Sequence, residues 1–243
     1  MKKLCIFSVL AIALALLLPL AASAQRATDR YTLNWAGYVA TTNGKLAPFT
    51  SVSAAWTVPT VIAPKSSYSS VWVGIGGGTR GSSKLIQAGT EQDVDGSGRV
   101  TYSVWYEVYP QFPVTIEAVS PGAELSVSIY RNEGKPQTWH IAILHGAKEF
   151  NKDVRLNPNF FSEATAEFIV ERPLLVVGRQ LATLADFGST TFSQCATNLG
   201  DISELGSLQK TYMTSNGLSS GTPLASPCDS SGDSFTIYWG TAS

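Results

Sequence analysis

Two strand-like runs carry carboxylates where a strand would normally hide apolar side chains. Over Ala166–Glu171, alternation sets Glu167 and Glu171 on one face with Ile169 and turns Phe168 and Val170 to the other. Over Tyr102–Tyr109 the same rhythm groups Trp105, Glu107 and Tyr109 opposite Val104, Tyr106 and Val108. Acids in such runs need a reason. Either they serve a site, or they stand on an outer sheet face open to water, where they are harmless. Periodicity leaves both readings open.

Other residues with chemical potential have plainer explanations. His140 and His145 sit in or at the end of a strand-like run and are too few for a common metal site, so they read as surface or edge residues. Gly232-Asp233-Ser234 has the look of a nucleophile segment, but the glycines that should follow are missing and Phe235-Thr236-Ile237 continues as a strand. Asp93-Val94-Asp95-Gly96-Ser97-Gly98 lacks the later acidic ligands of a calcium loop and reads as a hairpin turn. Gly74-Ile75-Gly76-Gly77-Gly78 opens no helix, which removes the basis for a phosphate cradle.

The elements that must position these residues are strands. Leu125–Tyr130, Thr138–Leu144, Leu174–Val177, Thr190–Ser193 and Ser234–Trp239 alternate like the two runs above, separated by Gly, Pro, Asn, Asp and Ser clusters. Only Asp201–Met213 is left open, because Asp201 and Glu204 suggest a capping box while Gly206 interrupts a helix. Many short strands with regular turns predict an all-β, antiparallel two-sheet sandwich. Residues 25–31 and the Ser/Gly-rich stretch Ser215–Ser231 read as a loose N-terminus and a long loop.

The chain opens with Lys2 and Lys3, an apolar run from Leu4 to Leu20 and Ala22-Ser23-Ala24, the pattern of a cleavable export signal over residues 1–24. A membrane anchor is the alternative, but the run is short, contains Pro19 and ends in a cleavable motif. Cleavage leaves residues 25–243 as one domain, secreted or periplasmic. It removes two of the 17 basic residues and none of the 18 acids, so 15 basic residues face 18 acids. That near-neutral balance argues against nucleic acid or an anionic membrane as partner. Cys5 leaves with the signal. Cys195 and Cys228 remain, and an oxidising compartment favours a bridge between them over a free pair or half of a metal site.

Six short motifs then occur in a significant order: Asn34-Trp35-Ala36-Gly37-Tyr38, Trp72-Val73-Gly74-Ile75, Leu85-Ile86-Gln87-Ala88-Gly89, Trp105-Tyr106-Glu107, Ala166-Glu167-Phe168-Ile169-Val170-Glu171 and Phe187-Gly188-Ser189. In this the chain resembles the glutamic peptidases, also called eqolisins or peptidase family G1. The resemblance spans nearly all of the chain after the signal. It implies a concanavalin A-like β-sandwich and an acid-acting endopeptidase that works on protein or peptide substrates, as a monomer, without metal or cofactor.

Carried over by motif, the resemblance places the catalytic pair on Gln87 and Glu171, groove tryptophans on Trp35, Trp72 and Trp105, and Glu107 beside the site. The chemistry is coherent: a Glu171 carboxylate can take a proton from water and return it to the leaving amine, while the Gln87 amide donates to the developing oxyanion. Ordinary carboxylate titration then suggests an optimum near pH ~3–5. One departure is Gly76, where the family commonly has Asp, so any hydrogen bond from that Asp is missing or replaced. Another is the short stretch between signal and first motif, which leaves little room for a long inhibitory propeptide. From a different class, six tryptophans in a β domain would also suit a sugar-stacking lectin, and Gly76 makes an inactive relative conceivable.

Overall fold

Side-chain alternation governs the backbone of almost every element. The structure, a computed structural model, describes residues 28–42, 47–62, 64–79, 81–157, 161–175 and 180–241; the expected signal over residues 1–24 lies outside them. In chain order the strands begin with β1 (Thr28–Thr32), β2 (Trp35–Thr41), β3 (Ser51–Thr57), β4 (Ser67–Ile75), β5 (Leu85–Val94), β6 (Val100–Tyr109) and β7 (Val114–Ala118). Then come β8 (Glu124–Arg131), β9 (Thr138–His145), β10 (Lys148–Arg155), β11 (Thr165–Glu171), β12 (Leu174–Leu175), β13 (Gln180–Leu181) and β14 (Thr183–Leu184). The last are β15 (Ser189–Thr197), β16 (Gly200–Asp201), β17 (Leu208–Thr214), β18 (Pro223–Pro227) and β19 (Phe235–Trp239).

Hydrogen bonding arranges most of these into two main sheets, with β14 added on β4, β16 on β15, and β12 paired with β13 apart from them. One runs β1-β17-β2-β11-β4-β5-β6-β7. The other runs β10-β9-β8-β3-β15-β19-β18. They join along one border where β17 pairs with β18. Tyr38, Val73, Ile86, Phe168 and Val170 of the first sheet meet Trp56, Ile129, Trp139, Phe192 and Phe235 of the second in one core. Aromatic edges and faces lock that core, with Tyr38 T-shaped on Phe235 at 4.7 Å and Phe192 stacked on Phe235 at 5.0 Å.

The opposite face of the first sheet is not open to water either. Val39, Trp72, Leu85, Trp105 and Ile169 form a second buried cluster there, with Trp35 packed against it. Of the two readings of the strand carboxylates, the solvated outer face is therefore the wrong one for Glu167 and Glu171.

Several local expectations change. Thr28–Thr32 is no loose terminus but a strand, parallel to β17. The Ser215–Ser231 loop contains β18, which is held between β17 and β19. Asp201–Met213 resolves into a single 3₁₀ turn, Ile202–Glu204, with Glu204 accepting from the Asp201 backbone at 3.3 Å, followed by β17. The Asp93–Gly98 turn stands as expected, joining β5 to β6 with the Asp95 carboxylate accepting from the Ser97 and Arg99 backbone.

The cysteine bridge is a correction. Cys195 and Cys228 are free thiols, the first buried and the second half-buried. Cys195 N–H donates to Asp233 O on one side of the segment that becomes β19, and Cys228 N–H donates to Thr236 O from the other. Two ladder spacings across a strand amount to ~10 Å, beyond the ~7 Å limit for Cα atoms joined by a disulfide. Redox compartment argued for a bridge; the structure shows two free thiols, with β19 between the strands that lead to them.

Candidate active site

Register across the first sheet sorts its outer face into rows. One row reads Val39, Glu167, Gly74, Gln87 and Glu107; the next reads Gly37, Ile169, Trp72, Gly89 and Trp105. The third is Trp35, Glu171, Ser70, Glu91 and Ser103. Residues directly opposite in an antiparallel ladder share a face. All five strands that carry the expected site residues thus present them to the same side.

Glu171 ends β11 at the floor of a cleft of about 770 Å³. Trp72 Nε1 donates to its Oε2 at 2.9 Å and Asn34 Nδ2 to its Oε1 at 3.1 Å. Burial pushes its carboxyl up to about 7; these donors pull it down, as does the Trp35 indole, and the charge of Glu107 raises it. Trp35 Nε1 faces the carboxylate without closing to hydrogen-bond geometry. Trp35 itself packs edge-on against Trp72, ring centroids 5.1 Å apart.

Gln87 is buried at the centre of β5, and its Nε2 donates to the Glu107 carboxylate on β6. That contact fixes the amide; Oε1 is buried and has no partner among the described residues. Burial raises the Glu107 pKa while the Gln87 bond lowers it. Gln87, Glu107 and Glu171 line one cleft with Trp35 and Trp105. Trp72 is fully buried beneath it and reaches Glu171 through its N–H.

Glu167 shares the face but not the cleft. Gly74, between it and Gln87 in the row, has no side chain, and Leu85 and the Trp72 ring crowd that position. Its Oε1 accepts from Gly78 N–H at 2.7 Å, and the glycine loop closes over it. A Cβ on Gly78 would stand 2.5 Å from the Val39 side chain, so only glycine brings the loop this close. The glycine run is therefore a packing device. Glu167 is wholly buried and pushed up to about 7 by burial, partly offset by hydrogen bonds from Thr165 and Gly78 and by the charge of Arg30. Gly76 belongs to the same loop. Its φ is 103°, and a Cβ there would lie 2.7 Å from Ser162 O and 2.9 Å from the Phe161 ring. An Asp does not fit at this position, and Gly76 instead uses its N–H on Thr165 O at 3.1 Å.

The cleft continues past the expected residues. Glu91 and Asp93 line one stretch; Lys84, Tyr109 and Phe112 line others. Asp93 is pushed up to about 7 by burial and by Glu91. Asn34 is the contributor that the residue-by-residue reading passed over; the signal available was its place immediately before Trp35 in the first motif.

The set-aside candidates stay outside. His140 binds Asp153 and Asn151, His145 binds Glu117, and Ser234 Oγ donates to Ser231 O. Among the described residues no group of three or more His, Cys, Asp and Glu side chains could hold a metal, and no helix is long and apolar enough to cross a membrane. Nor do the tryptophans form an open stacking platform. Trp56 and Trp139 are in the core between the sheets, Trp72 and Trp105 are buried beside the cleft, and only Trp239 is well exposed.

Comparison with known proteins shows the family and the fold. Aspergillopepsin-2 of Aspergillus niger is 27% identical over 234 residues, 87% of this chain and 79% of that protein. Scytalido-glutamic peptidase, solved with a peptide-based transition state analog, superposes with a TM-score of 0.67 at 22% identity, covering 86% of this chain and 99% of the other. Aspergilloglutamic peptidase from Aspergillus niger gives 0.54 at 26% identity, covering 71% and 99%. Residues 33–239 match the model of the Peptidase A4 family. The chain belongs to that family, the glutamic peptidases or eqolisins, and is a glutamic endopeptidase.

Proposed function

We propose that this endopeptidase is exported, acts on the acid side of neutrality, and cleaves peptide bonds through Glu171 and Gln87. The observation that carries the reading is one cleft in which both oxygens of Glu171 hold a donor and Gln87 is fixed by Glu107. A peptide lying there meets Trp35 and Trp105. The ionised Glu171 takes a proton from water as the oxygen attacks the scissile carbonyl. One Gln87 N–H is spent on Glu107; the second donates to the oxyanion, and Oε1 helps hold the water. Glu171 then delivers its proton to the leaving nitrogen, which restores the carboxylate. Glu107, if protonated, adds no negative charge beside the oxyanion. The chain's own residues complete this cycle, with residues 25–243 acting as one monomeric domain after loss of the signal.

The deciding experiment is digestion of acid-denatured casein by the purified protein lacking residues 1–24, beside the Glu171→Gln variant. The parent should cleave and the variant should not, with circular dichroism unchanged. Equal digestion by both would remove Glu171 from the mechanism.

A further inference from the structure

The turn between β1 and β2 is pinned more firmly than a two-residue connection requires. Thr32 Oγ1 bonds both the N–H and the C=O of Trp35, at 2.9 and 2.8 Å. From the far side, the Arg172 backbone N–H donates to Asn34 O at 2.8 Å, and Arg172 Nη2 donates to Leu33 O at 2.7 Å. With its backbone held by the residue that follows Glu171, Asn34 directs its amide at Glu171 Oε1. We propose that Asn34 is a positioning residue for the reaction, its N–H holding Glu171 in its ionised, base-competent form and aiming the remaining lone pairs into the cleft.

This inference rests on Glu171 being the base. Two donors hold the carboxylate, but they are not equivalent. Trp72 is wholly buried and its ring fills the sheet face, so that donor is inseparable from packing. Asn34 sits on a turn at the cleft wall, where a change costs little core. An amide also has no proton to lose in the working range, so it remains a donor at every pH at which a carboxylate or imidazole would change role. Glu107, Glu91 and Asp93 are the other carboxyl groups lining the cleft, Tyr109 is its phenol, Lys84 is its cation, and the Arg172 guanidinium is turned to Leu33 O. All are common to parent and variants, so a difference between pH profiles isolates Asn34.

The test is kcat/KM between pH 4 and 10 on one peptide, for the parent, Asn34→Ala and Asn34→Asp, with circular dichroism at each point. Losing a donor to the carboxylate raises its pKa, so the acid limb of Asn34→Ala should move up by about one pH unit. Activity below the limb should drop about tenfold, while KM on the plateau changes by less than about threefold. Asn34→Asp, nearly the same size, replaces the donor with a like charge and should move the limb at least as far. Were the alanine variant to lose its native spectrum, the aspartate variant carries the decision. A limb that stays in place while activity falls equally at all pH overturns the inference and leaves Asn34 a packing residue. If Glu171→Gln is inactive and the limb stays, only the Asn34 role falls; if Glu171→Gln is active, both fall.

Discussion

Replacing Glu167 by Gln tests whether the glycine loop has sealed a titratable group inside the protein. Glu167 has no exposed surface, and its carboxyl is raised from an ordinary 4.5 to about 7. A raised acid pKa means that the folded state binds more protons than the unfolded one between those values, so stability is full below about pH 4.5 and falls as pH rises to about 7. At roughly 1.4 kcal/mol per pH unit, the 2.5-unit gap corresponds to about 3 kcal/mol. The glutamine keeps an acceptor for Gly78 N–H and cannot ionise. Its Nε2 takes the place of an oxygen that has no partner among the described residues, which adds a cost of ~1–3 kcal/mol that is the same at every pH. The informative quantity is therefore the pH dependence of the difference. Urea unfolding of parent and variant at pH 4, 6 and 8 should show the difference moving by about 3 kcal/mol in the variant's favour. Turnover should survive, because Glu167 does not line the cleft. A difference that stays flat from pH 4 to pH 8 would refute the buried-carboxyl reasoning, and loss of turnover in folded variant would show that the wrong glutamate has been placed in the mechanism.

Gln87→Ala should lower kcat/KM by roughly 10²-fold or more, the usual loss for one oxyanion donor, with steady-state kinetics on a single peptide as the check. The pH profile should be a bell. Glu171 serves as base only when ionised, so activity falls as pH drops through its raised pKa, and coupling to Glu107 gives two macroscopic steps that belong to the pair. Burial moves the acid limb, and the optimum with it, up from the pH ~3–5 suggested by sequence toward neutrality; an acid limb below pH ~4 would show that burial does not govern Glu171. The two thiols should behave differently: Cys228 should label in native protein, whereas Cys195, fully buried with its thiol pKa pushed up by burial, should label only on unfolding. A two-dalton mass gain on reduction would restore the bridge.

Alternation made β6, β8, β9 and β11 legible, since each has one face in the inter-sheet core and a different chemistry on the other. The strands that bear Trp72 and Gln87 were not legible in that way. Nearly every residue of β4 is buried, and β5 is buried over its first six, so Ser67–Ile75 and Leu85–Val94 show no polar-apolar rhythm. Short motifs, not periodicity, located those two residues. Glu167 and Glu171 looked alike as a pair two positions either side of Ile169. What separates them is the loop at Gly76–Gly78, which comes from nearly a hundred residues away in the chain, and no local pattern reports it. The cysteines failed for a similar reason: composition gave their number and the compartment, but only the strand order puts β19 between them.

Glu171 and Gln87 lie on β11 and β5, which both hydrogen-bond to β4. Neither of these two proposed catalytic side chains is carried by a loop, whereas Lys84, Phe112 and Leu175, which line the cleft, lie outside the strands of that sheet. Glu171 and Gln87 can lose their spacing only if adjacent strands in the middle of the sheet separate, an event close to global unfolding. Heat inactivation should therefore coincide with cooperative melting and not precede it. Peptide selectivity is open to change on a different footing, because exchanging rim segments alters which side chains are accepted without touching the ladder that spaces the chemistry. In evolutionary terms, the molecule can explore new diets while the spacing of Glu171 and Gln87 is inherited with the sheet.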